Sequence, residues 1–293
     1  MKWIALIIAV AMFLLFLLVP LFGAQPERTG DVAEIMRRVA ASQDEARDSR
    51  SAFVFQQDVR MRFHRTNGKL AREEQRSYTV APSASSFDKT LVSFQGQYEK
   101  DGRLIGYDKP GYTYKDMDID GELIDDLADD LMNEKHSRDG ISVDLFPLTS
   151  AQQSYYEFKL HGTENYRGRE VYKIRFKPRK QKDEDWDHGL WSGELLVDTR
   201  EYQPVLITTE MAKGIPVLVR TLLGTNLKGL GFKLEYEKVA EGAWFPVRYG
   251  GEFEIKAVFF YKRRISVGMR SYDFRHVDVA TRVQYLPQTQ PPQ

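Results

Sequence analysis

The sequence contains no cysteine. That excludes disulfides, a thiolate nucleophile, cysteine-ligated zinc and a lipidated cysteine. It carries no net charge either, because 42 basic side chains balance 42 acidic ones. No basic stripe stands out, so nothing in the field of the chain recruits nucleic acid. Catalytic signatures are missing as well: there is no GxSxG, no HExxH, no P-loop and no GxGxxG opening a helix. The glycine-rich stretch 224–231 lacks the Lys-Ser/Thr of a phosphate loop and reads as a hairpin connection. The histidines His64, His136, His161, His188 and His276 fall at no metal-ligand spacing. The acidic run Asp183, Glu184, Asp185 and Asp187, followed by His188 and Gly189, lacks the alternation of a calcium loop and reads as a solvated turn. Pairing any two of the many carboxylates as acid and base would be arbitrary. The chain reads as a non-enzyme with no metal and no cofactor.

What is present begins at the N-terminus. Lys2 precedes an apolar run, residues 3–19, of about 17 residues, and neutral residues continue to Ala24. A positive start followed by an apolar stretch is the form of an export signal. The run is long for a signal core and near the lower limit for a membrane span, so a cleaved signal and a retained hydrophobic helix both stay open. Either way the positive-inside rule places residues 25–293 on the outer side of the membrane.

The remainder divides into a polar linker at 25–30, one folded domain at 31–285 and a Pro/Gln-rich tail at 286–293, expected to be disordered. Asp31 with Glu34 has the spacing of a capping box. Val32, Ile35, Met36 and Val39 then make the apolar stripe of a helix running to Arg47. From Ser51 the period becomes two. Phe53, Phe55, Val59, Met61 and Phe63 define one buried face of a long strand. Thr66-Asn67-Gly68-Lys69 is a hairpin signal, and the polar partner strand 70–80 is expected to be exposed on a face or to lie at an edge. Further strands are expected at 86–94, 97–100 and 103–107. A second amphipathic helix at 121–135 has Leu123, Ile124, Leu127 and Leu131 as its stripe. Leu145, Phe146 and Leu148 in the loop 141–150 either pack over the core or form a lid. Strands then follow at 155–160, 170–176, 193–198, 204–211, 217–223, 231–238, 244–249, 252–261 and 265–274, with a turn expected at Gly250-Gly251. Short turns and no intervening helices predict an antiparallel meander. An aromatic content of 12%, with 15 Tyr and 17 Phe, suits half-buried strands.

Certain segments carry a family resemblance. They are Tyr155-Tyr156-Glu157-Phe158-Lys159-Leu160-His161-Gly162, the Gly-Arg strand from Gly168 to Pro178, and Trp191-Ser192-Gly193-Glu194-Leu195-Leu196-Val197-Asp198. To these add Tyr202-Gln203-Pro204-Val205, Gly242-Ala243-Trp244-Phe245-Pro246 and Tyr272-Asp273-Phe274. With the order of elements, they resemble the LolA/LolB-like superfamily, of the outer-membrane lipoprotein-sorting type, over residues 31–280. The resemblance implies a mainly β (α+β) fold: a curved antiparallel sheet forming a half-open β-barrel, with helices covering its concave face. It also implies an apolar cavity that takes acyl chains of lipids or lipoproteins, each buried methylene contributing about 0.8 kcal/mol. Phe53, Phe55, Val59, Met61 and Phe63 on the strand, with Leu123, Leu127 and Leu131 on the covering helix, are then candidate cavity or lid residues. The residues alone leave open whether they line a cavity or fill a core. A membrane surface is a further expected partner. The leading function is an exported lipid- or lipoprotein-binding carrier or envelope sensor. Two alternatives stand beside it: a membrane-tethered interaction module using an open sheet edge or the loop 141–150, and an extracytoplasmic hydrolase. A transmembrane β-barrel fits poorly with two acidic-faced helices.

Overall fold

The structure, a computed structural model, describes residues 31–82, 87–132, 148–179, 191–211, 226–228, 231–257 and 261–277. The N-terminal apolar run, the loop residues Leu145 and Phe146, the acidic run 183–187, the expected strand 217–223 and the tail lie outside these residues. Among the described residues no helix is long and apolar enough to cross a membrane.

Helix α1 spans Val32–Arg50. It is followed by strands β1 (Phe53–His64), β2 (Leu70–Pro82), β3 (Phe87–Lys100) and β4 (Arg103–Tyr107). Helices α2 (Ile119–Met132) and α3 (Ser150–Gln153) come next, α3 being capped by the Thr149 side chain. Then follow β5 (Tyr156–Tyr166), β6 (Arg169–Pro178), β7 (Trp191–Asp198), β8 (Pro204–Met211), β9 (Asn226–Lys228), β10 (Phe232–Ala240), β11 (Ala243–Ala257) and β12 (Tyr261–His276).

All of the strands join one antiparallel sheet in the order β4-β3-β2-β1-β12-β11-β10-β8-β7-β6-β5, with β9 paired to β11. The sheet is curved and does not close, so among the described residues β4 and β5 are its edges. The chain enters at the middle of the sheet and steps outward to β4. It crosses to the opposite edge through α2 and α3, then steps back until β12 pairs with β1. Two meanders are thus sealed by their first and last strands.

The period-two pattern of β1 has the expected consequence: Phe53, Phe55, Val59, Met61 and Phe63 are all buried and face the helices' side. The cross-strand register carries that face across the sheet. Phe94, Arg76, Val59, Met269, Tyr249, Leu234, Ile207, Leu195, Ile174 and Leu160 stand opposite one another in a single row. Only one of these ten is charged. Helix α1 lies on this face through Ile35, Met36 and Val39, as its apolar stripe predicts. Polar bonds fix its position: Arg50 Nε donates to Trp244 O at 2.5 Å, Ser42 Oγ donates to Tyr202 O at 2.7 Å, and Gln153 Nε2 donates to Met36 O at 2.9 Å.

Three sequence expectations need correction. First, β2 is not an edge, and exposure is confined to part of its outer face, at Gln75. It lies between β1 and β3, and Arg72, Glu73, Glu74 and Arg76 are buried. Arg72, Glu74 and Arg76 on its inner face are covered because they pair with one another and with α2, Glu73 on the outer face pairs with Arg60 and Gln97, and Gln75 is exposed. Second, Gly250-Gly251 is not a turn but the middle of the single strand β11, which joins the two strands expected at 244–249 and 252–261. The glycines are there because neighbours crowd the backbone: a Cβ on Gly251 would sit 2.2 Å from Gly231 O, and one on Gly250 would sit 2.9 Å from Val267 O. Third, the strands expected at 86–94 and 97–100 are one strand, β3 (Phe87–Lys100), running through Gly96.

Candidate functional site

The candidate residues on β1 share one face but meet different neighbours. Phe55 lies within ring contact of Phe87 (centroids 5.7 Å apart), Phe245 (5.5 Å) and Phe274 (5.2 Å), and Phe53 meets Phe245 edge-on at 5.5 Å. This aromatic group forms one end of the inner face. Val59, Met61 and Phe63 belong to the same apolar cluster, together with Leu123 and Ile124 of α2. Leu127 is half-buried and packs on the edge of that cluster. Leu131 falls within α2, and its side chain lies outside the described residues. Of the loop thought to pack over the core or form a lid, Leu148 is described and buried against the cluster. Gln57 is the polar exception on the β1 face: it is buried, donates weakly to Ser271 Oγ at 3.4 Å, and its Oε1 has no hydrogen-bond partner.

Beside this apolar floor is a feature that the sequence reading missed. The β1–β2 register puts Arg72 opposite Phe63, Glu74 opposite Met61 and Arg76 opposite Val59, so all three point inward under α2. Arg72 is fully buried. Its Nε donates to Tyr107 Oη at 2.8 Å, its Nη1 donates to Asp118 Oδ2 at 2.6 Å, and its Nη2 donates to the Tyr112 carbonyl. Tyr107 Oη donates onward to Glu74 Oε1 at 2.6 Å. Arg76 grips Glu74 through Nε and Nη2, at 2.9 and 2.6 Å, and Nη2 also reaches Asp125 Oδ1 at 2.7 Å. From β12, Arg263 makes a fork onto Asp120, with Nε–Oδ1 and Nη2–Oδ2 both at 2.9 Å, and Tyr261 Oη donates to the same carboxylate at 2.6 Å. Asp118, Asp120 and Asp125 of the α2 segment are therefore each held by an arginine of the sheet. Asp118 additionally accepts from the backbone N–H groups of Gly121 and Tyr114, at 3.2 and 3.3 Å, which anchors the start of the helix.

The electrostatics follow from this enclosure. Burial works against the charge of Arg72, but Tyr107 and Asp118 outweigh it and raise its pKa. Burial likewise opposes Arg76, and Glu74 and Asp125 reverse the sign. Burial first, then the Glu74 carboxylate, pushes the Tyr107 hydroxyl far above its ordinary range, so it remains a donor. Gly96 makes room for this tyrosine: a Cβ there would lie 2.3 Å from the Tyr107 ring. The charged side chains converge on each other's hydrogen-bonding atoms, which is the arrangement of a fastening between helix and sheet. The parity of β2 was the available signal, since counting back across the Thr66–Lys69 turn places 72, 74 and 76 on the face of 59, 61 and 63.

The opposite, polar face of β5 to β8 carries a groove of about 830 Å³. Two charge pairs cross its strands, Lys177 with Glu157 at 3.0 Å and Arg175 with Glu194 at 3.9 Å. No metal-binding cluster of His, Asp or Glu occurs among the described residues.

Comparison with known proteins adds to this geometry. No protein-family model matches the sequence, and no curated protein matches it. Among solved structures the chain is similar to a LolA superfamily protein from Nitrosomonas europaea, with 12% identity, TM-score 0.34 and coverage of 84% of this chain and 94% of that one. It is also similar to a DUF1329 family protein from Desulfovibrio piger, with 15% identity, TM-score 0.32 and coverage of 84% and 95%. A third similar structure is a domain from Vibrio parahaemolyticus assigned as an outer membrane lipoprotein-sorting protein, with 10% identity, TM-score 0.33 and coverage of 84% and 95%. Likeness at this level assigns no function. The half-open sheet with covering helices rests on the strand order itself.

Proposed function

We infer that the domain binds lipid, or the acyl chains of a lipoprotein, on the inner face of its open sheet, with α2 as the covering lid. The observation that carries this reading is the row from Phe94 to Leu160. It crosses ten strands of a sheet whose edges do not meet, and it is apolar at nine of its ten positions. Burial of acyl methylenes on such a surface, at about 0.8 kcal/mol each, gives affinity without specific chemistry. In this reading residues 25–293 work outside the cytoplasm, led there by residues 1–24, and residues 31–285 act as one domain ahead of the tail.

Copurified lipid is the first test. Native mass spectrometry of the intact protein, or organic extraction followed by lipid analysis, should show bound acyl chains. Leu127→Trp is the second. With acyl chains beneath α2 the indole takes their place, lowers the amount of bound lipid and leaves the melting temperature nearly unchanged. With a filled interior it overpacks and destabilises by about 1–3 kcal/mol. A lipid-free wild type together with a destabilised Leu127→Trp would remove the lipid reading. An interaction module would then be the better account, and the exposed apolar side chains of edge strand β4, Leu104 and Ile105, favour it specifically.

A further inference from the structure

The two edges of the sheet are built differently. Edge strand β5 has the devices that discourage pairing with another chain: a register break between Leu160 and Thr163, a glycine at φ 112° (Gly162), and the exposed charges Glu157, Lys159 and Glu164. Edge strand β4 has no bulge, no proline and no lysine. Its one charge is Arg103, at its first position. Leu104 and Ile105 are 53% and 39% exposed. A short, regular, apolar edge of this kind is a template for strand addition.

The backbone of β4 specifies what fits it. Strands β3 and β4 are joined by the two-residue turn Asp101-Gly102, with φ 52° and 79°, and the pairs run Lys100 with Arg103, Tyr98 with Ile105 and Gly96 with Tyr107. In a two-residue hairpin the pair that closes the turn is hydrogen-bonded, and bonded and non-bonded pairs then alternate. Arg103, Ile105 and Tyr107 therefore spend their N–H and C=O groups on β3, while those of Leu104 and Gly106 point away from the sheet. Two β4 strands laid antiparallel about a two-fold axis at Ile105 place Leu104 opposite the second copy's Gly106, and Gly106 opposite its Leu104. Every outward donor then meets an outward acceptor. The Leu104 side chain falls over a residue with none, and the two Ile105 side chains meet on the axis as a non-bonded pair, the class in which side chains approach closest. Arg103 of each copy comes opposite Tyr107 of the other at both ends of the ribbon.

We propose that β4 is a homodimerisation edge, pairing with β4 of a second copy through this Ile105-centred register to make one sheet continuous across two molecules. The proposal is independent of what the inner face holds. A five-residue strand pair lies at the small end of specific interfaces, so the dimer exchanges and is best trapped.

The absence of cysteine makes the trap clean, because an introduced cysteine is the only thiol. The full-length protein carrying Ile105→Cys, under mild oxidation in whole cells or after purification, should form a disulfide dimer. Leu104→Cys, whose two copies stand diagonally about 7–8 Å apart in this register, should form it on the order of ten-fold more slowly. Gly106→Pro should abolish the Ile105→Cys dimer, because it deletes an outward N–H and crowds the neighbouring strand. It should leave the circular dichroism spectrum and melting temperature of the monomer unchanged, since that N–H makes no bond to β3. Equal rates for the two cysteines, dimerisation that survives Gly106→Pro, or an adduct with the mass of a different protein would each overturn the second copy as the occupant of this edge.

Discussion

Arg72→Met tests the fastening between sheet and lid most directly. Methionine nearly replaces the volume of the arginine stem, so little of the effect comes from a cavity. What goes is the bond to Tyr107 Oη at 2.8 Å, the bond to Asp118 at 2.6 Å and the cover of the Tyr112 carbonyl. Asp118, with a side chain only 2% exposed, is left as a buried anion supported by two backbone N–H groups. Removing one member of such a pair costs about 3–5 kcal/mol. In a domain of this size each kilocalorie moves the melting temperature by about 2–4 °C, so a fall of about 6–20 °C is expected. Adding Asp118→Asn removes the stranded charge while keeping an oxygen to cap α2, and should recover about 1–3 kcal/mol. Differential scanning calorimetry gives the totals, and hydrogen exchange locates them: α2 should lose protection while α1, held through Arg50 and Ser42, keeps it. A loss below about 1 kcal/mol, or a double variant weaker than Arg72→Met alone, would refute the fastening.

The remaining expectations are narrower. Arg167, Lys233 and Arg248 outweigh the opposing effect of burial and hold the Glu235 carboxyl at about 2, below its ordinary value of 4.5. A depressed carboxylate contributes stability above its unfolded pKa and loses it as pH falls toward the folded one. The stability of the wild type should therefore drop between about pH 4.5 and 2 more than that of Glu235→Gln, as measured by urea unfolding at stepped pH. Gly96→Ala should destabilise by at least about 1–3 kcal/mol, since Tyr107 is tied to both Arg72 and Glu74 and cannot swing aside. The same change in a Tyr107→Leu background should cost less. A reporter active only in the cytoplasm, fused after Gln293, should stay silent, and activity there would refute the outward placement of residues 25–293.

Apolar periodicity made much of the fold legible. The alternation Phe53 to Phe63 gives β1 its buried face, and the spacing of Val32, Ile35, Met36 and Val39 places α1. Two kinds of residue resisted the reading. Arg72, Glu74 and Arg76 look like a solvated face because composition carries no information about partners that arrive from Asp118 and Asp125, about fifty positions away or less. Only the register across the turn shows that they share a face with Val59, Met61 and Phe63. Gly250 and Gly251 look like a turn because glycine serves equally where a chain bends and where a neighbouring strand comes too close for a side chain. The candidate site was legible in its aromatic part, Phe53 and Phe55. Its other half, formed by Phe245 and Phe274, joins through pairing of strands from opposite ends of the chain.

That pairing imposes an order on synthesis. Gln57 and Ser271, which meet across β1 and β12, are 214 positions apart, and Val277 N reaches Ala52 O at 2.7 Å. Until β12 emerges, the strands β1 to β4 form a half-sheet with the inner edge of β1 bare and its phenylalanines uncovered. Contacts this distant in sequence form slowly. A nascent chain must therefore keep one edge of an aromatic strand unpaired for almost the whole of its appearance. Loss of the last strand, as by a stop codon just before Tyr261, would leave two half-sheets with no strand pairing between them rather than a slightly shorter domain.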